Sequence, residues 1–557
     1  MNDMKFKKIK YNILNKYTVL VVLLALSISS CTKFLEEVPT GAMTTAAKLE
    51  SSESGNALVI GPYRSLVNWL GGADDWGHNL VGPIEYQTGL AYTPDSHVQF
   101  WKYQGDQVAG DLLGAFTNFW NNQYQGVRDC NLSISLIPGV TGYTDAQKAT
   151  ALAEIRALRG WYYYTLVRYF GDVPMTTSVI TDVNSFQQPR VSLKTIYDEV
   201  IIPDLEYAIS AEGGLSDARS TNGRVTKHVA RAILADVYLT CAGYPYQEVE
   251  TNPTAKWCED GLWTMQTYPV NSTSAKDFLA KAKTHIDVLV NSGTYTLGTY
   301  EDLRTPAKNN TGEAIFSAQF LTGVVGSGAV GQISAPLGSQ VVSGDGNGTW
   351  IPSIEYYNSF DNADKRKKEK QFFYTQETKH SGFDPNMGLS DVFSQPYLYK
   401  WYDWTAMHGN GSSSLNWPFY RYADILLMQT EVNWTLNQLG TSVSEADIVK
   451  GINLVRARAL LPALTGATCD LKAILSERAY ELIFETKMLW DQRRTRRSLR
   501  EGSGRFTSLN NFIGFNPTIF SFAFTAKHLL SPIGMTEIQY NSKCLQNFGY
   551  LPKQVGQ

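Results

Sequence analysis

Three glutamates spaced four apart, Glu477, Glu481 and Glu485, stand close in the chain to Arg478, Lys487, Asp491, Arg493 and Arg494. On a helix that spacing puts the carboxylates on one face, and paired carboxylates can act as general acid and base. The arginines among them favour another use, an ion-pair network that ties helices together. Arg156, Arg159 and Arg168 with Glu154 and Asp172 read the same way. Gly326 to Gly331 fits G-x-G-x-x-G, but Gln332-Ile-Ser-Ala-Pro336 after it does not open the helix whose N-terminus would hold a pyrophosphate. The 7 histidines are dispersed, with no H-E-x-x-H, and neither a G-x-S-x-G elbow nor a P-loop occurs. No catalytic residue, cofactor or metal site is therefore expected. A structural calcium ion stays open, since an EF-hand run is absent but other donor sets exist.

The residual chemical signal is aromatic. The chain has 31 Tyr and 13 Trp, many of the Trp in stretches rich in Gly, Asn and Ser rather than in periodic helical ones. A sugar ring has apolar C–H faces flanked by hydroxyls, so flat aromatic side chains beside carboxylates or amides suit it. Leu66 to Tyr103 interleaves Trp69, Trp76, Tyr92 and Trp101 with Asp74, Asp75, His78, Asn79, Asp95 and His97. Trp350 ends the stretch Ser343-Gly-Asp-Gly-Asn-Gly-Thr-Trp350. Trp76, Tyr92, Trp101 and Trp350 are the candidate ligand platform, with Asp75 as a hydroxyl acceptor. A surface glycoside hydrolase would instead need two carboxyls in an aromatic cleft, for which Asp74, Asp75 and Asp95 are the candidates. A scaffold without a small ligand would bury Trp76, Trp101 and Trp350.

The elements that must position these residues begin with an export signal. Lys5, Lys7, Lys8, Lys10 and Lys16 precede the apolar run Thr18 to Leu26, which is too short to cross a bilayer, and small residues lead to Ile28-Ser-Ser-Cys31. Residues 1–30 read as a signal peptide, Cys31 as the lipid attachment site, and residues 31–41 as an acidic, extended tether. Residues 42–299 are mainly helical, with candidate helices near Thr44–Trp69, Ala115–Leu136, Asp145–Tyr169, Ser192–Ser210, Thr226–Cys241 and Ala275–Val290. Residues 300–557 form a loop-rich region, ending in helices at Tyr422–Asn437, Ile448–Ala459 and Leu471–Arg497 that pack back on the body. Cys130, Cys241, Cys258, Cys469 and Cys544 are scattered and odd in number, which suggests neither a disulfide framework nor a zinc site. With 49 basic and 52 acidic side chains there is no surplus to hold nucleic acid.

Several segments resemble the SusD/RagB family, in that family's order. Cys31-Thr-Lys-Phe-Leu-Glu-Glu-Val-Pro39 is similar to its lipidated start, and Phe119-Trp120 through Tyr124 to Asn131 to its W-x-x-x-Y and Asn. Ala153 to Pro174, A-E-I-R-A-L-R-G-W-Y-Y-Y-T-L-V-R-Y-F-G-D-V-P, resembles A-E-A-R-F-L-R-A-x-Y-Y-F-x-L-V-x-x-F-G-x-V-P. Arg421 to Met428, Glu477-Arg478 with Glu481-Leu482, Asp491 with Arg493-Arg494, and Leu530-Ser-Pro-Ile through Tyr550 also fit, with Gly534 where Pro is usual. The resemblance implies a mainly α fold, an α-solenoid of tetratricopeptide-like helix pairs with an irregular second region bearing the ligand site. It implies a cell-surface, outer-membrane lipoprotein, with no enzymatic activity, that hands a glycan to a TonB-dependent (SusC-like) transporter. Peptide capture is the alternative within the family.

Overall fold

The computed structural model describes residues 49–69, 81–92, 113–182, 185–254, 256, 267–322, 348, 350–378, 390–407 and 413–550. The signal peptide, Cys31 and the tether lie outside them, as do Asp75, Trp76 and Trp101.

The first region is built of helices that each bury a face on the next. Helix α1 (Ser52–Ile60) packs on α2 (Leu113–Leu136), α2 on α3 (Asp145–Phe170), α3 on α4 (Ile202–Ile209), α4 on α5 (Lys227–Cys241), and α5 on α6 (Thr273–Asn291). Their starts are set locally. Thr144 and Gln147 form a reciprocal capping box at α3, while Thr226 and Ser272 accept the backbone N–H of Val229 and Ala275 at α5 and α6. The helix expected over Ser192–Ser210 is interrupted by a π turn, Tyr197–Ile201, just before Pro203, whose missing N–H cannot close the normal ladder.

The pairs touch closely because small residues stand at the crossings. A Cβ on Gly126 of α2 would come within 2.5 Å of the Tyr162 ring on α3. The stacking continues past the second region: α6 packs on α7 (Tyr422–Gln438), and α7 on α8 (Glu445–Arg458), where a Cβ on Gly451 would lie 2.0 Å from the Leu426 carbonyl oxygen.

The described residues contain short antiparallel pairs, some within the stretch expected to be loop-rich and others involving the region expected to be helical. Strand β1 (Ala91–Tyr92) pairs with β5 (Ile351–Pro352), β2 (Val173–Pro174) with β3 (Arg190–Val191), β4 (Ala314–Ala318) with β8 (Trp417–Arg421), β6 (Phe373–Thr378) with β7 (Ser390–Leu398), and β9 (Arg497–Gly502) with β10 (Arg505–Asn511). Strand β4 follows α6 and β8 leads directly into α7, so this one ladder brings the two ends of the second region together beside α5 and α7.

The acidic cluster is an ion-pair core, as its arginines imply. Glu481 meets Arg458 at 2.6 Å and Arg421 at 2.8 Å, and Glu477 meets Arg366 at 2.7 Å and Arg456 at 2.9 Å. Those arginines hold the Glu481 carboxyl at about 2 against the opposing pull of burial. Arg159 and Arg156 share Asp204, each at 2.7 Å, Arg168 meets Asp236 at 3.2 Å, and Glu154 pairs with Arg224.

The first helical expectation, Thr44–Trp69, is met among its described residues only as Ser52–Ile60 followed by the short turns Gly61–Tyr63 and Arg64–Val67, and the last fails outright. Leu471–Arg497 is not continuous: α9 (Leu471–Leu482) and α10 (Met488–Thr495) are separated by a turn in which Phe484 and Thr486 take left-handed φ values of 56° and 58°. Remote side chains take over the freed backbone groups. The Lys400 ammonium donates to the carbonyls of Glu481 (2.9 Å) and Ile483 (3.0 Å), and the Thr486 N–H donates to Glu85 (2.6 Å). Glu485 therefore leaves the helical face of Glu477 and Glu481 and pairs with Lys400 and Arg421 instead.

Candidate functional site

Tyr92 and Trp350, two of the expected platform residues, are adjacent across the β1–β5 ladder yet face different environments. Tyr92 opposes Ile351, and the Ser353 N–H donates to Leu90 at 2.8 Å to extend the pairing. Because successive side chains of a strand alternate in direction, Ile351 and its neighbour Trp350 point to opposite sides. Trp350 is 1% exposed, stacked on Phe484 at 5.9 Å and edge-on to Trp417 at 5.4 Å. Its assignment to an exposed platform is corrected: Trp350 is a core residue, and the glycine-rich sequence before it describes only the chain that delivers it there.

Ile351 points instead into a second apolar cluster made almost entirely of rings. Tyr374, Tyr397, Tyr399, Tyr402 and Met407 are buried in it, with Tyr92 and Phe393 partly buried against it. Tyr399 and Tyr402 stack at 4.5 Å and 11°, and Tyr374 meets both edge-on at 5.1 and 5.3 Å. The Tyr92 hydroxyl donates to Gln395 on β7, whose amide donates to Tyr397 at 3.2 Å. Burial, then the nearby Tyr397 and Glu355, push the Tyr92 phenol above its ordinary range, so it stays a neutral donor.

At the edge of this cluster a short helix, Trp404–Met407, carries Trp404, which is 60% exposed. Asp403 fixes the start of that helix: one carboxylate oxygen accepts the N–H groups of Thr405 (3.1 Å) and Ala406 (3.3 Å), and the other accepts the Ser413 hydroxyl (2.7 Å). An indole held outward on a pinned backbone loses little entropy when a ligand packs on it. Trp404 was missed by sequence reasoning, although the run of rings from Phe393 to Trp404 is dense enough to have marked it. The sequence continuing from Tyr92 holds Trp101, and that preceding Val81 holds Asp75 and Trp76; none of the three lies within the described residues.

Among the described residues no group of His, Cys, Asp and Glu could hold a metal ion, and no helix is long and apolar enough to cross a membrane. Four described cysteines, Cys130, Cys241, Cys469 and Cys544, are buried free thiols.

Two family models match the chain: the SusD family over residues 312–550, and starch-binding associating with outer membrane over residues 85–239. A SusD superfamily protein from Parabacteroides distasonis, known from its crystal structure, is 30% identical, covers 91% of this chain and 100% of its own, and superposes with a TM-score of 0.77. The chain belongs to the SusD family. SusD-like protein P2 of Formosa agariphila is 24% identical over 86% of this chain and 91% of its own length. The fold is shared with surface glycan-binding protein A from Bacteroides thetaiotaomicron, solved in complex with laminarihexaose, at a TM-score of 0.66 and 20% identity over 89% of this chain and 99% of that one. The helix-pair solenoid is thus the SusD fold, and the aromatic cluster sits in the part of this SusD-family chain that interrupts it.

Proposed function

We propose that this SusD-family protein is a non-catalytic, lipid-anchored receptor at the cell surface that binds an oligosaccharide or polysaccharide and passes it to a TonB-dependent, SusC-like transporter of the outer membrane. The observation that carries the reading is the exposed indole of Trp404, a flat apolar face held at the edge of a buried tyrosine cluster on which Tyr92 is only partly covered. Such a face matches the alternating C–H and hydroxyl surface of a glycan. The relatives' names point the same way, towards starch, laminarihexaose and surface glycans. Trp76, Trp101 and Asp75 complete the proposed site with Tyr92 and Trp404.

The test is calorimetric titration of the purified protein against a panel of polysaccharides, with peptides as the competing ligand class. With the glycan so identified, the double change Trp101→Ala and Trp404→Ala should lose about 2 to 3 kcal/mol, at roughly 1 to 1.5 kcal/mol per aromatic contact. That is roughly thirtyfold or more in affinity. Undiminished affinity in the double variant would place the glycan elsewhere, and binding of peptides alone would replace the ligand class.

A further inference from the structure

The segment from Tyr399 to Tyr402 has two working sides. Tyr399 and Tyr402 belong to the buried aromatic cluster, whereas Trp401 between them lines a separate cavity of about 360 Å³. This cavity lies where the loop after α6 meets β4 and β8. Its size is at the low end of small-molecule pockets, roughly 300 to 1,000 Å³.

The lining combines an apolar wall with uncharged hydrogen-bonding groups. Leu303, Leu415, Pro418 and Trp401 supply the wall, and Asn309, Asn310 and Asn416 the carboxamides. The amides are locked in place. Asn309 donates to the Ser414 carbonyl (2.7 Å) and accepts from the Asn416 N–H (3.1 Å), while Asn310 and Asn416 each donate to the Gln319 side-chain oxygen at 2.7 and 2.8 Å. A carboxamide has two N–H groups and two lone pairs, so these bonds fix the rotamers while leaving hydrogen-bonding capacity. Trp401 is 1% exposed and its indole N–H is buried, so it serves the wall with its ring.

The one guanidinium among the described lining residues, Arg421, is already spent. Its three nitrogens make five contacts, to Glu485 (2.7 and 2.8 Å), Glu313 (3.0 Å), the Glu481 carboxylate (2.8 Å) and the Glu481 carbonyl (2.7 Å). It offers an incoming anion neither a free donor nor uncompensated charge. At the rim, Lys308 and Asp302 carry opposite signs. The cavity is built for a neutral guest.

We propose that this cavity is a second binding site, taking a single neutral sugar ring, and that it is separated from the aromatic cluster by the thickness of one chain segment. It does not depend on Trp404 at the edge of that cluster binding a glycan. The full chain in detergent is titrated with glucose, galactose and N-acetylglucosamine, and with glucose 6-phosphate as the charged probe. At least one neutral sugar should bind saturably with a Kd on the order of 1 mM. Thr311, exposed on the lining, tolerates a bulky replacement, and Thr311→Trp should abolish that binding without lowering the melting temperature. Trp404→Ala should leave the sugar binding unchanged, whatever it does to polysaccharide binding. No saturable binding of any neutral sugar up to tens of millimolar overturns the proposal. So does binding that survives Thr311→Trp but is lost in Trp404→Ala, or glucose 6-phosphate binding as tightly as the neutral sugars.

Discussion

Glu85 and Lys400 are the two side chains that hold the turn between α9 and α10, and both are fully buried. Burial pushes the Glu85 carboxyl up to about 8, against the opposing pull of the Thr486 N–H and of Lys400. It also pulls the Lys400 ammonium down to about 8, with Glu485 resisting. Glu85 is thus largely protonated in the folded protein at neutral pH and ionised in the unfolded chain. Because its folded pKa lies above its unfolded one, its contribution to stability is fully present below about pH 4.5 and is lost as pH rises through about 8. Lys400 keeps its charge in both states over most of that window and adds little to the slope. Replacing Glu85 by Gln should therefore leave the melting temperature close to wild type at pH 5 and raise it progressively towards pH 8, by an amount on the order of a few kcal/mol in stability. Parallel melting curves in which wild type and variant keep a constant gap would show that Glu85 does not titrate there. Trp350 is tested on stability alone: its replacement by Ala should cost about 3 to 5 kcal/mol, as for any large buried ring, whereas Trp404→Ala should scarcely shift the melt. A cheap Trp350→Ala would return that residue to the surface.

At the scale of elements, Gly451 shows how packing overrides propensity. In the interior of α8, Ala should be favoured over Gly by about 1 kcal/mol. A Cβ at 2.0 Å from a carbonyl oxygen of α7 meets backbone that cannot swing aside, and overpacking of that kind costs about 1 to 3 kcal/mol or more. Gly451→Ala should accordingly lower the denaturation midpoint, and a rise would mean that α7 and α8 are further apart. The same contrast between local and remote causes explains what the chain discloses before it folds. The body of α3 is readable from its own residues, Thr144 and Gln147 at its start and the long run of buried positions after them. Helices α5, α6 and α7 are readable too, because apolar periodicity and caps are local signals. The break after Leu482 is not, since the groups that replace its helical partners come from Lys400 and Glu85, far away in sequence. The pairs β1–β5 and β2–β3 are two residues long on each side, too short for any alternation to register. Trp350 misleads for a related reason. Composition describes the stretch that precedes it, but its burial depends on Phe484 and Trp417, which only the folded chain brings near.

For the whole molecule, the proposed anchoring to a membrane rests on Cys31, in the sequence ahead of the described residues. The several acyl chains of a bacterial lipoprotein anchor firmly, whereas one chain binds only marginally. Changing Cys31 to Ala should move the protein out of the outer-membrane fraction into soluble or unprocessed forms, read by fractionation and by the mass of the N-terminal peptide. Unaltered fractionation with normal cleavage would dissociate Cys31 from anchoring.

The β4–β8 ladder, which joins the two ends of the second region, also sets how freely that region can vary. Everything between the Asn291 end of α6 and Tyr422 at the start of α7 is, to the solenoid, one closed excursion of roughly 130 residues. The entropy of closing an excursion grows only with the logarithm of its length, about 0.6 kcal/mol for each doubling. Changes of length in its loops thus cost the α6–α7 closure little, provided that they spare Arg366, Lys400 and Trp350, which anchor the excursion to α9 and the turn after it. The same topology works against speed, because the α6–α7 contact is highly non-local and can form only after the whole excursion has been delivered, which places completion of the stack among the late events of folding.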